Sequence, residues 1–499
     1  MIWLRRFSVL LAFMLLISFG AWLLPRVLDP TDKGPERRAR DRRWVNSSPY
    51  FLDRQACRWI SLCGLHHLRK DPATRGNNDE DEPEWGDLKH RSLAWEPEEI
   101  PRQDPKRNTN HRRRILRDIP DYVTKHAPLV HLYSGEEFWP SDIRQHVQHM
   151  TAYAGEELIN STEEWTLHNL HKLNRHHGKI NLRSNDDVES RPNWLHSHYN
   201  IPKPFPDDHN GEDFKTPVGN PGGQPESREP STWYDVGKNR PVHKISDPRN
   251  RKFQKHRRSE SYGHKPDENG YSAAPAVLVV VDKGSGIVDA FWFFFYSYNL
   301  GQTVLGIRFG NHVGDWEHCM MRFEHGIPRG VFFSEHEGGQ AYAFEAVEKR
   351  GERPVIYSAV GSHAMYALPG KHPYILPFKL LKDVTDKGPL WDPSLNNYAY
   401  HYDYTKDDNH NPKDMVEEPL SLVPAASNPH APTSWFHYEG HWGDEVYSLA
   451  DPRQWRFFGQ YHYVTGPEGP VFKTLDRTKM CQKQKCRILY NLDPTNTWY

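Results

Sequence analysis

Residues 276–298 read AVLVVVDKGSGIVDAFWFFFYSY, and these two apolar runs around a Gly-Ser-Gly break decide the fold class. The first run, 276–281 (AVLVVV), is a β-branched stretch of the kind buried in a sheet. The second, 289–298 (DAFWFFFYSY), is so aromatic that it must lie in a core or against a membrane-facing surface. Lys283-Gly284-Ser285-Gly286 between them reads as a turn between strands rather than a phosphate cradle. Outward along the chain, 316–323, 331–336, 341–345 and 354–360 are further strand candidates separated by Gly and Pro turns. A spacing of roughly 8–12 residues with turn signals predicts an all-β fold, an antiparallel β-sandwich with a few short helices. Helix–strand alternation is missing, which argues against a parallel α/β sheet.

The flanks extend this reading. Residues 122–133 (YVTKHAPLVHLY) read as a strand followed by a turn at Ser134-Gly135-Glu136-Glu137, and 142–150 as a short helix. Residues 412–432 read as a loop and 435–464 as aromatic strand text. Residues 203–270, rich in Pro, Gly, Asn and His, read as a disordered insertion.

Composition fits one aromatic-rich domain diluted by polar sequence. Trp, Tyr and Phe (17, 24 and 22 of 499 residues) exceed what a disordered chain carries. Mean hydropathy is nevertheless −0.84, so much of the chain faces water. Lys and Arg (64) balance Asp and Glu (65), which excludes a globally basic nucleic-acid binder.

The N-terminus is the one segment long and apolar enough for a membrane. Residues 7–24 (FSVLLAFMLLISFGAWLL) carry no charge and lack a small-residue cleavage pattern. The expectation is a signal anchor, or a signal peptide, over 1–25. A charged disordered stalk follows over 26–117, then the β-domain over 118–490 and a tail over 491–499. Basic residues after the run would place the domain in the cytosol by the positive-inside rule. Sequons at Asn46 and Asn160, and the close pairs Cys57/Cys63 and Cys481/Cys486, favour the lumen instead. We therefore expect a glycosylated single-pass protein of the secretory or vacuolar system with a lumenal domain. Cys319 is the odd cysteine, placed as a small buried hydrophobe.

Nucleotide loops, H-E-x-x-H and G-x-S-x-G are absent from the sequence. The strongest local constellation is GNHVGDWEH at 310–318. If Asp315 begins a strand, Asp315 and Glu317 share one face, and His312 in the preceding loop can fold back beside them. Two carboxylates and an imidazole repel unless something positive sits between. Mg²⁺ or Ca²⁺ suits the oxygen ligands, whereas Mn²⁺ or Zn²⁺ better suits the imidazole. His336 and His363, each at a strand end, could line the same rim. The competing reading is of acids and histidines that merely face solvent. Ser362-His363 makes a poor nucleophile–base pair, because adjacent residues on an extended chain point apart. A fourth His/acid cluster at 437–445 reads as a Gly-rich turn anchored by Trp442.

Several ordered motifs carry a family resemblance: APLVHLY at 127–133, WPSD at 139–142, DDVESRP at 186–192, GNHVGDWEH, RPVIYSAVGSH at 353–363 and GPEGP at 466–470. Together they resemble the fungal vacuolar protein sorting-associated protein 62 family from about residue 120 to 490. The resemblance implies a role in protein delivery to the vacuole with no established activity. His312-x-x-Asp315-Trp316-Glu317 is also similar to a heptapeptide segment of the necrosis-inducing cytolysins. In those β-sandwiches the segment holds a divalent cation that engages sphingolipid headgroups. The expectation is a non-enzymatic, membrane-anchored sorting protein. Its cation site at His312, Asp315, Glu317, His336 and His363 would bind a lipid headgroup or glycan. The rival is a metal-dependent phosphoester or glycoside hydrolase with His336 or His363 as base.

Overall fold

The computed structural model describes residues 11–20, 23, 34–68, 116–161, 163–195, 264–304, 306–335, 338–375, 381–407, 419–483 and 485–492. In chain order the strands that build the body are β1 (Leu129–His131), β2 (Ala276–Gly284), β3 (Ile287–Asn299), β4 (His312–Glu324), β5 (Ile327–Glu335) and β6 (Gly338–Ala343). They continue with β7 (Arg353–Ser358), β8 (Leu390–Trp391), β9 (Asn397–Tyr402), β10 (Leu422–Pro424) and β11 (Ile488–Leu489). One eight-stranded sheet runs in the order β10-β9-β2-β3-β4-β5-β6-β11, and a smaller sheet is centred on β7-β1-β8.

Side-chain parity explains why residues 289–298 have no polar face. Phe291, Phe293 and Phe295 enter one core, while Ala290, Trp292, Phe294 and Tyr296 enter the other. Neighbouring strands split likewise. Val277, Val279, Trp316, Met320 and Phe332 face the first core; Leu278, Val280, Cys319, Met321 and Phe333 face the second. The small sheet supplies Val130, Ile356 and Trp391 to the second core, so two sheets enclose it. The first core is covered by irregular segments around Trp435 and Trp442. A strand covered on both sides reads as a continuous apolar run.

The fold is β-rich with few helices, but its sheets are mixed rather than wholly antiparallel. β9 pairs with β2, β11 with β6 and β7 with β1 in parallel. Residues 122–133 form a helix, Asp121–Lys125, and only then the strand β1. Pro120 opens that helix, and Pro128 prevents it from continuing. Residues 435–464 are mostly not strand: Ser434–His437 is a 3₁₀ turn, and its aromatic residues are buried by packing rather than pairing. The expected helix near 142–150 is Ile143–Gln148, capped by Asp142 accepting from the Arg144 amide.

Part of the expected stalk is ordered and docked. α1 (Pro35–Asn46) and α2 (Phe51–Ile60) lie on the body, and the Cys57–Cys63 disulfide closes the end of α2. Trp44 donates from Nε1 to the Tyr447 carbonyl at 2.8 Å, and the Arg456 guanidinium lies 4.6 Å over its ring. Charge density misled the sequence reading because a few apolar anchors fix an otherwise polar segment. Residues 69–115, most of the 203–270 insertion and most of the 491–499 tail lie outside the described residues. Cys481–Cys486 is the second disulfide, and Cys319 is a buried free thiol.

Within the apolar N-terminal run, residues 11–20 are helical and exposed. Among the described residues no helix is long and apolar enough to cross a membrane, and the flanks of the run lie outside them.

Candidate functional site

β4 delivers Asp315 and Glu317 to the face of the second core, opposite Tyr296 and Phe294 of β3. The alternation predicted from GDWEH is present, but both acids are buried rather than set on an open rim. Gly314 makes the entry to this strand with φ +70°, and a Cβ there would stand 2.3 Å from the Trp442 carbonyl oxygen.

The histidine that meets Asp315 comes from another sheet. β7 ends in a tight turn through Gly361, and fully buried His363 points back across β3. Its Nδ1 donates to Asp315 Oδ2 at 2.8 Å, and its Nε2 lies 3.2 Å from the Phe138 carbonyl and 3.8 Å from Glu136 Oε1. The ring stacks flat on Tyr296, with centroids 3.6 Å apart and planes at 2°. Both nitrogens therefore face oxygen acceptors, which a neutral imidazole cannot satisfy. Burial works against a charged ring. Hydrogen bonds to Asp315 and Glu136, and the charges of those groups, outweigh it and hold His363 up to about 10. At neutral pH His363 is an imidazolium.

Glu136 completes the cluster. Its Oε1 accepts from the Glu137 and Phe138 amides at 2.9 Å each, and its Oε2 accepts from the Gly361 amide at 2.9 Å. One buried carboxylate thus locks the 136–138 loop to the turn that carries His363. Burial raises the Tyr296 hydroxyl well above its ordinary value, and the charges of Glu136, Asp315 and Glu317 add to this. Glu317 accepts from Ser334 Oγ, which itself accepts from the His318 amide at 2.7 Å.

The remaining predicted residues go elsewhere. His312 sits half-buried at the start of β4 with Nδ1 2.7 Å from the Gly314 carbonyl, and His336 lies outside the described residues. Ser362 donates to Asp383 at 2.8 Å, so it and His363 serve different partners and form no dyad. In the 437–445 cluster, His441 meets the Gly466 carbonyl and Asp444 accepts from the Ser184 amide and the Tyr447 hydroxyl, around buried Trp442. Among the described residues no group of three or more His, Cys, Asp or Glu is placed to hold a metal.

On the side of the first core, where Phe138 and Tyr298 pack, lies a small hollow of about 20 Å³, room for little more than one water. Phe138, Arg191, Tyr298, Leu300, Asn311 and Tyr463 line it. Arg191 pairs with Glu137 at 2.6 Å, and the Tyr298 hydroxyl donates to that of Tyr463 at 3.1 Å. The polar groups around the hollow are thus satisfied within the chain.

A family model described as vacuolar protein sorting-associated protein 62 matches residues 283–375, the stretch that carries Asp315, Glu317 and His363. The putative vacuolar protein sorting-associated protein TDA6 of Saccharomyces cerevisiae is 36% identical over 398 residues, covering 73% of this chain and 68% of that one. Vacuolar protein sorting-associated protein 62 of the same yeast is 34% identical over 398 residues, covering 74% and 68%. The chain belongs to the vacuolar protein sorting-associated protein 62 family.

Among solved structures, necrosis and ethylene inducing protein 2 from the agent of cocoa's witches' broom disease aligns with TM-score 0.20 and 11% identity. That alignment covers 51% of this family member and 71% of the other chain. The non-toxic HaNLP3 protein aligns with TM-score 0.16 and 13% identity over 26% and 52%. Likeness at that level carries no argument about the site. Sequence reasoning missed Glu136 in this family member by reading it as a turn residue. The available signal was its setting, an acid pair inserted between Tyr133 and Phe138-Trp139.

Proposed function

We propose that this chain is a membrane-tethered endomembrane protein that supports delivery of proteins to the vacuole. Its ligand site centres on the Asp315–Glu317 face. The names of its yeast relatives support the sorting role. Residues 7–24 are assigned as the tether. A lumenal domain accords with two disulfides and two exposed sequon asparagines, Asn46 and Asn160.

One observation carries the site: three carboxyl groups, on Glu136, Asp315 and Glu317, gather around Tyr296 against the single positive charge of His363. That excess of oxygen ligands suits a hard divalent cation, Mg²⁺ or Ca²⁺. Asp315 and Glu317 would supply its carboxylate oxygens, whereas His312 is engaged with the Gly314 carbonyl and stands outside that set. His363 does not belong to this set, since both its nitrogens are engaged as donors. A bound cation would supply a positive charge for an anionic or hydroxyl-rich ligand, a lipid headgroup or a glycan.

The test is elemental analysis of purified full-length chain and of Glu317→Gln, which keeps an acceptor for Ser334. Near-stoichiometric Mg²⁺ or Ca²⁺ that falls in the variant supports the site; identical metal content in both refutes it. Resistance of the full chain to carbonate extraction from membranes checks the tether separately.

A further inference from the structure

The N-terminal helices present an outward face that the body leaves uncovered. On α2, Phe51, Leu52 and Trp59 are 63%, 79% and 75% exposed, and Tyr50 just before it is 57% exposed. Single exposed apolar residues are ordinary; four large ones gathered around one ten-residue helix are not. This face is fixed in place. On the opposite side Asp53 Oδ1 accepts from the Gly64 amide at 2.7 Å, and Cys57 is bonded to Cys63. The helix cannot roll to bury its aromatics without breaking both ties.

Beside this face lies a strongly basic helix. α1 (PERRARDRRWVN) carries Arg37, Arg38, Arg40, Arg42 and Arg43, all exposed, against Glu36 and Asp41. Five positive and two negative side chains give a formal +3, and Asp41 is already engaged by Arg456. α2 adds exposed Arg58. An aromatic and leucine face next to an arginine-rich helix is the pattern of an element that lies in the plane of a membrane interface. Its aromatic rings would sit at headgroup depth and its arginines on acidic phosphates. Position in the chain points the same way. Residues 25–34, between the apolar run and α1, reach at most ~35 Å when fully extended. If residues 7–24 enter a bilayer, α1 and α2 cannot stand far from its surface.

We propose that α1 and α2 form an interfacial docking surface for a bilayer bearing acidic phospholipid headgroups. Tyr50, Phe51, Leu52 and Trp59 insert, and the α1 arginines bind the headgroup phosphates. The body is then held at a fixed attitude on the membrane instead of swinging on its tether. The inference rests on the tether only for proximity, because the surface itself is built from residues of the docked domain.

The experiment is amide hydrogen exchange on the full-length chain in nanodiscs of phosphatidylcholine, with or without about 30% phosphatidylserine. Exchange across residues 50–60 is read against β3 as internal reference. The expected result is exchange at 50–60 slowed about ten-fold in the acidic discs, with β3 unchanged and the effect reversed by about 0.5 M salt. A Leu52→Asp/Trp59→Asp chain should lose this protection while staying in the disc. Equal exchange in both discs overturns the proposal. So does protection that rises with protein concentration regardless of lipid, which would mean that a second copy covers the face. If the chain does not enter discs, the tether fails; the same peptides read with acidic vesicles added to the chain still decide the docking surface.

Discussion

His363 Nδ1 lies 2.8 Å from Asp315 Oδ2, and this contact joins a turn after one sheet to the central strand of another. Tyr296, the cross-strand partner of Asp315, covers the face of the imidazole with its ring. The sequence suggested that two acids and a histidine would need a positive charge among them. The protein supplies one itself, as the imidazolium. The pair is buried on both sides, so its attraction is little screened and its removal leaves a charge with reduced compensation.

Asp315→Asn therefore should destabilise the domain by about 3 kcal/mol, toward the lower end of what breaking a buried pair costs because His363 can shed its proton. The contribution depends on pH in a defined sense. The folded state holds the His363 proton up to about 10, against 6.5 when exposed. Stability from it is complete below 6.5 and is lost as pH rises toward about 10. Urea midpoints measured across that window should slope downward in the wild type and much less in Asp315→Asn. Parallel slopes would show that His363 is not the titrating group.

His146 has the opposite sign. Its Nε2 donates to the Trp442 carbonyl at 2.9 Å and its Nδ1 lies 3.2 Å from Ser297 Oγ, an arrangement that suits the neutral ring. Complete burial lowers it to about 3, partly opposed by the Trp442 carbonyl. The unfolded chain takes up a proton below 6.5 that the folded one refuses, so stability falls as pH drops. Between 6.5 and about 5 this single residue should cost about 2 kcal/mol, at roughly 1.4 kcal/mol per unit. His146→Gln should flatten the acid limb of the stability curve by that amount. His171, His264 and His372 are each lowered to about 4, so the limb is shared among several residues.

What the sequence revealed and what it concealed divide by range. β2, β3, β4 and β5 were legible because each is a local apolar run, and the Asp315/Glu317 alternation followed from period two alone. The turn at 284–286 was legible from its glycines. His363 meeting Asp315 was not, since the contact spans 48 positions and depends on how a second sheet lies on the first. Glu136 was hidden for a related reason: three backbone amides bury it, and amides leave no mark in a sequence. The stretch 435–464 misled because Trp435, Phe436 and Trp442 are apolar for packing into the first core, not for strand pairing. The helices at 35–60 were masked by arginines that face outward.

Gly314→Ala should be among the most disruptive single-atom additions near the site. The residue sits at φ +70°, and its new Cβ would stand 2.3 Å from the Trp442 carbonyl oxygen, which also accepts from His146. Backbone faces backbone there, so no flexible side chain can yield. A loss of about 2–4 kcal/mol is expected, from the strained φ together with displacement of the His146 hydrogen bond. Thermal unfolding checks it. A variant within about 0.5 kcal/mol of wild type would show that the 442–443 segment moves freely away from β4.

The five cysteines make the oxidation state of the native chain a countable quantity. Cys57–Cys63 and Cys481–Cys486 are bonded, leaving the Cys319 thiol fully buried in β4. Burial pushes that thiol far above its ordinary value, with the charge of Arg477 only partly opposing it, so it holds its proton and has no access to reagent. Titration with a disulfide reagent should therefore find no reactive thiol in the folded chain. It should find one after unfolding without reductant, and five after reduction. Finding five on unfolding alone would mean that the chain matures in a reducing compartment. The Cys57–Cys63 tie that fixes the outward face of α2 would then be missing in the cell.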